Sequence, residues 1–183
     1  MNFTTKREDL FKFGKALLGK IRGRGKPVFL CVGSDRYVSD CLAPIVAEML
    51  KTTYNIPAIV YGGVDYNVNA TNLMEVVHYI ETMHEDATII LIDATLDTNV
   101  GEIILSDNAF AGAGKCIPNR KLGDIAILGV VGRRVANFNL NSTRLKVVMQ
   151  MAKFIAMGCY LAVRKNIELQ DIESNNYPHL KII

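Results

Sequence analysis

Val28-Phe29-Leu30-Cys31-Val32-Gly33-Ser34-Asp35-Arg36-Tyr37-Val38-Ser39-Asp40-Cys41-Leu42-Ala43-Pro44 joins an apolar run to a polar loop with two aspartates and then to a helix start. A run that is apolar throughout is the pattern of a strand covered on both faces. Pro44 has no amide proton and fits only the first turn of a helix, so the helix is expected to begin between Asp40 and Ala43. That places Asp40 near the positive end of the helix dipole, an arrangement that favours its ionised form. In α/β domains ligands bind beyond the carboxyl ends of strands. A second such end is Ile89-Ile90-Leu91-Ile92-Asp93-Ala94. The two stretches together predict that Asp40 and Asp93 meet at one cleft.

The rest of the chain continues the alternation. Leu10, Phe13, Leu17 and Ile21 recur at helical spacing and predict an amphipathic helix over 5–21, ended by Gly23 and Gly25. Further strands are expected over 58–61, 88–92, 101–105 and 125–131, and a helix over 71–84 buries Leu73, Val76, Val77 and Ile80. A long helix from 141 to about 164 carries a stripe including Leu145, Val148, Ala152, Ile155 and Cys159, which core packing explains. The tail over 165–183 shows no clear period. The expected fold is therefore α/β, in three layers, with a mostly parallel central sheet and helices on both faces. It forms a single domain over 1–183, with 1–26 as an amino-terminal helix and linker. Asp35, Asp40, Asp93, Asp107 and the loop around Gly112 all follow expected strands.

Bulk properties narrow the function classes. At 183 residues and 50% hydrophobic, the chain is long enough for one substantial core. The net charge of +3 is mild, and the basic residues are scattered apart from Lys20 to Lys26, read as a solvated connector. No nucleic-acid partner is expected. Cys31, Cys41, Cys116 and Cys159 include no CxxC pair and no metal-ligand spacing, and Cys31 and Cys159 read as core. The first residues are charged rather than apolar, and the apolar run over 154–163 is too short to cross a bilayer. The expectation is a cytoplasmic protein with no membrane partner.

A pair of nearby carboxylates can divide acid and base roles, because proximity prevents both from ionising readily. Such a pair can hold a water and attack an amide, or it can chelate a divalent cation through oxygens. Taken singly, Asp40 also reads as a helix cap and Asp93 as a turn former. No resident cofactor is expected. The loop Ala109 to Cys116 fails as a phosphate-binding P-loop: Ala109 replaces the first glycine, Cys116 the magnesium-binding hydroxyl, and Pro118 follows where a helix should begin. Its small residues instead suit close backbone approach to a ligand, with Gly112 and Gly114 offering amides to an oxyanion and Lys115 a positive charge. Gly33, Asp35 and Asp107 complete the expected substrate loops. Cys41, beside Asp40 at a helix start, is a minor candidate nucleophile with a lowered pKa.

The segments GSDRYVSDCLAPIV, YGGVDYNVNATNL, LIDATLDTNVGEI and GAGKCIPNRKLGDIAILGVV, in that order, resemble the sporulation protein YyaC family, described as spore proteases. The resemblance extends to the germination protease of spores and, more distantly, to hydrogenase maturation endopeptidases. It implies a phosphorylase/hydrolase-like (HybD-like) α/β fold. It carries the proposed catalytic pair of the germination protease to Asp40 and Asp93. A protein or peptide substrate, such as small acid-soluble spore proteins, and a spore or forespore compartment are further implications; separately, the exposed amino-terminal helix offers a surface for a homo-oligomer. The chain departs from the pattern with Ala43 where glycine is usual, and no histidine lies between Asp93 and Asp124, which disfavours nickel sensing.

Overall fold

The computed structural model describes residues 1–110, 121–136, 138–139 and 142–176. The elements run β1 (Asn2–Phe3), α1 (Arg7–Ile21), β2 (Pro27–Cys31), α2 (Leu42–Glu48), β3 (Ile59–Tyr61), α3 (Leu73–Met83), β4 (Thr88–Leu96), β5 (Ile103–Phe110), β6 (Lys121–Gly132) and α4 (Leu145–Asn176). A 3-10 turn, Val38–Asp40, leads into α2, and a π-helical turn, Met49–Thr53, prolongs it. The sheet order is β1-β5-β6-β4-β2-β3. The pairings β2 with β3, β2 with β4 and β4 with β6 are parallel.

Alternation along the strands builds the layers. Phe29, Cys31, Ile90, Ile92, Ile125 and Ile127 face one core, closed by Phe13 and Leu17 of α1, Leu42 and Val46 of α2, and Val148 and Ile155 of α4. Val28, Leu30, Leu91 and Ala126 face the other, closed by Leu73, Val77 and Ile80 of α3. The three-layer α/β expectation holds. α1 and α4 approach closely through Gly14 and Gly158, and a Cβ on Gly158 would run into the Phe13 ring. That ring meets Phe3 edge-on at 5.4 Å and lies 5.4 Å from Phe154.

Several boundaries differ from the sequence expectation, β4 running on to Leu96 and β6 starting at Lys121 among them, and two differences matter more. The first is β5, expected as a short strand over 101–105, which runs to Phe110 and pairs antiparallel with β6, while β1 pairs antiparallel with β5. Parallel pairing requires a crossover, usually a helix, and nothing over 106–124 has a helical period. The second is α4, which continues to Asn176 through the expected tail. Lys165 and Arg164 pair with Glu168 one turn on, at 3.1 and 3.9 Å. Arg22 at the end of α1 reaches Glu173 at 2.6 Å. Charge pairing, rather than apolar spacing, supports this last stretch.

The extension also changes the reading of length. Leu145–Glu173 is long and apolar enough to cross a membrane by length and composition, unlike the shorter run seen in the sequence. Its most apolar window is 56% buried inside the fold, so its apolar face is used by the core.

Candidate functional site

The carboxyl ends of β2 and β4 lie side by side, with Cys31 opposite Ile92 and the Val32 amide donating to the Ile92 carbonyl at 2.9 Å. The chain leaves β2 through Gly33, whose amide donates to the Val68 carbonyl at 2.8 Å. Val68 itself bridges to Val32, so the loop after β3 flanks these strand ends on one side. Ser34 then donates its amide to the Asp40 carbonyl at 3.1 Å, which folds the loop back on itself. Gly33 has φ +156°, and a Cβ there would run into that carbonyl and approach Pro44 Cδ at 2.9 Å. Only glycine permits this fold-back, and the fold-back is what carries Asp40 to the strand ends.

Asp40 sits on the last residue of the 3-10 turn, two positions before α2. The cap position of α2 is Cys41, with no side-chain cap bond, so Asp40 is not a capping residue. Nor does the helix dipole dominate it: burial pushes its carboxyl up from the usual range, and the Ser34 amide offsets this in part. Asp93 lies within β4, not in a turn. Its Oδ1 accepts the Ala94 amide at 2.7 Å. Its pKa is raised to about 7, chiefly by burial, with the Ala94 amide pulling it down and the charge of Asp40 adding the smallest share of the rise. The charge of Asp40 therefore reaches Asp93 across the strand ends. Burial raises Asp40 as well, so both carboxyls are pushed above the usual range.

Asp35 is exposed on the same loop and accepts from Asn67 Nδ2 at 2.7 Å. Gly33, Asp35, Asp40 and Asp93 are thus brought together. Asp107 is not. It pairs with Ile125, whose β4 partner Ile90 lies at the amino-terminal end of that strand, because β5 runs antiparallel. There it binds Lys20 at 2.7 Å, which holds its carboxyl below the usual range. Gly112, Gly114 and Lys115 lie outside the described residues. Cys41 departs from its expected depression: burial and the charges of Asp35 and Asp40 push its thiol up.

Two polar groups near these loops were not singled out in the sequence. Ser39 is 2% exposed and its hydroxyl has no hydrogen-bond partner among the described residues, as is true of the side-chain oxygen of Asn67. Asn67 lies in the loop between β3 and α3, and neither it nor Ser39 belongs to a residue pattern that signals chemistry. A cavity of about 470 Å³ lined by residues including Asn99, Val147 and Met151 contains none of these residues. No group of three or more His, Cys, Asp or Glu side chains suited to a metal occurs among the described residues.

The chain is 34% identical over 151 residues to the uncharacterized protein YyaC of Bacillus subtilis (strain 168), covering 78% of this chain and 73% of that protein. In structure it is similar to a [NiFe] hydrogenase maturation protease, HycI, from Thermococcus kodakarensis KOD1. That likeness has a TM-score of 0.47 and 16% identity, over 79% of this chain and 98% of the other. Residues 2–158 match the family described as "Protein of unknown function (DUF1256)", and the chain belongs to that family.

Proposed function

We propose that this protein is a peptidase-type hydrolase in which Asp40 and Asp93 activate water against a peptide bond. The observation that carries the reading is the unequal pair at one set of strand ends. Asp93, raised to about 7, is the member that keeps its proton in this reading, and Asp40 is assigned the ionised role. At neutral pH that is one base and one acid in a single cleft. Asp40 takes a proton from water while the oxygen attacks the carbonyl carbon. Asp93 gives its proton to the departing amine as the carbon–nitrogen bond breaks. The products are a carboxylic acid and an amine, and transfer of the proton held by Asp40 back to Asp93 restores the pair.

The similarity of the four sequence segments to spore proteases supports a protein or peptide substrate and a sporulation role in the cytoplasm or forespore. Cys31, Cys41 and Cys159 are free thiols, which accords with a reducing compartment. A divalent cation at the acidic cleft is the lesser reading: a carboxyl that retains its proton near neutrality is a poor ligand for one. The test is cleavage of purified spore proteins by wild type, Asp40→Asn and Asp93→Asn, read by mass spectrometry. Cleavage by wild type is expected to fall at least about 100-fold in either variant, the usual worth of a general acid or base. Full activity in Asp40→Asn or Asp93→Asn would remove the pair from the mechanism. If correctly folded wild type cuts none of these proteins while an added divalent cation raises its melting temperature, the site is a binding module.

A further inference from the structure

We propose that Arg133, Arg134, Arg144 and Lys146 form the docking surface for an acidic stretch of the polypeptide substrate. This deepens the hydrolase reading by naming the substrate class. No acidic residue occurs between Asp124 and Glu168, a span holding seven of the chain's 21 lysines and arginines. The fold gathers four of them. Thr143 Oγ1 donates to the Val131 carbonyl at 3.0 Å, which ties the approach to α4 to the end of β6. All four side chains are exposed, and none makes an ion pair among the described residues. Arg134 Nε donates to the Leu96 carbonyl at 3.2 Å, and Gly132 accepts the Asp97 amide at 3.0 Å. The cluster thus stands at the end of β4, the strand that carries Asp93, on the same carboxyl-terminal side of the sheet. Asp97 and Glu102 adjoin it and leave it net positive.

The neighbouring charges select the partner. Across the same end of the sheet stand Asp35, Asp40 and Asp93. A nucleic acid, charged evenly along its length, would be repelled by them while binding the cations. A peptide can place carboxylates on the arginines and a neutral amide at the aspartates. Cations not engaged in ion pairs keep their full attraction for such a chain, and salt screens it.

The test uses full-length Asp93→Asn protein, so that binding is read apart from cleavage. The probes are a fluorescent peptide of alternating Glu and Ala, its Gln–Ala counterpart and a short DNA duplex. The Glu–Ala peptide is expected to bind. High salt, and the triple substitution Arg133→Gln, Arg144→Gln, Lys146→Gln, should each weaken it by about tenfold or more. A control variant losing the same charge on α1, Lys6→Gln, Arg7→Gln, Lys15→Gln, should bind as before. Equal binding of the Gln–Ala peptide, unweakened binding by the folded triple variant, or tighter binding of DNA would each overturn the proposal. If the triple variant fails to fold, Arg133→Gln alone carries the test, and unchanged affinity there overturns it. Binding without wild-type cleavage would sink the hydrolase reading and leave the docking surface standing.

Discussion

Asp93 links the site to stability. Its carboxyl titrates at about 7 in the fold against 3.8 when unperturbed. Below about pH 4 both states are protonated and the group costs nothing. Between about pH 4 and 7 the unfolded chain loses its proton while the fold retains it, so stability falls as pH rises, and the loss is complete above pH 7. That gap corresponds to at most about 4 kcal/mol. Asp93→Asn keeps an oxygen for the Ala94 amide and removes the charge. It should therefore raise the melting temperature at pH 8 and change it little at pH 4. A gain that is the same at both pH values would count against a buried, ionising Asp93. Gly33 makes the opposite case. Gly33→Ala sets a Cβ against the Asp40 carbonyl, a backbone clash no rotamer relieves. Urea unfolding should show a loss of about 2–4 kcal/mol, whereas a loss under 0.5 kcal/mol would mean that the loop can shift without cost.

Among the elements, the strands that form the cleft were plain in the sequence and the sheet edge was not. β2 and β4 announce themselves as apolar runs ending in polar residues, so Asp40 and Asp93 could be placed from sequence alone. β5 looks the same locally. Its direction depends on the connection to β6, and the lack of a helical crossover there was the available signal. Without it, Asp107 is assigned to the wrong end of the sheet. Asp107→Asn is accordingly expected to leave cleavage and melting temperature near wild type, unlike Asp40→Asn, and a cleavage loss comparable to that of Asp40→Asn would contradict the topology. The last turns of α4 were hidden for a different reason. Apolar periodicity fades after Val163, and the helix is continued by Lys165, Glu168 and Arg164 and by the Arg22–Glu173 pair. The α1–α4 contact was legible only as two separate stripes. Phe13 is fully buried between Phe3 and Phe154, so Phe13→Ala should cost about 3–5 kcal/mol by denaturant melting; a cost below 1 kcal/mol would show the two helices to be loosely joined.

For the whole molecule, the architecture separates functions by the ends of the sheet. The amino-terminal end of the parallel strands holds structural charge pairs such as Lys20 with Asp107. The carboxyl-terminal end holds the two aspartates, the Ser39 hydroxyl, which has no hydrogen-bond partner among the described residues, and the exposed cations after β6. The contrast lies in the partners: Asp107 is paired with Lys20, whereas Arg133, Arg144 and Lys146 make no ion pair among the described residues. A pH profile of cleavage should show both aspartates, rising as Asp40 ionises and falling above about pH 7 as Asp93 loses its proton. The coupling of acid and base, on which the mechanism depends, needs no substrate to test. Carbon-13 NMR of the aspartate carboxyls, titrated in wild type and Asp40→Asn, reads it directly. Asp93 is predicted to titrate near pH 7 in wild type and lower once the Asp40 charge is gone, though still above 3.8 because burial is the main cause of the rise. Titration of Asp93 near 3.8, or at one value in both proteins, would contradict the coupled pair.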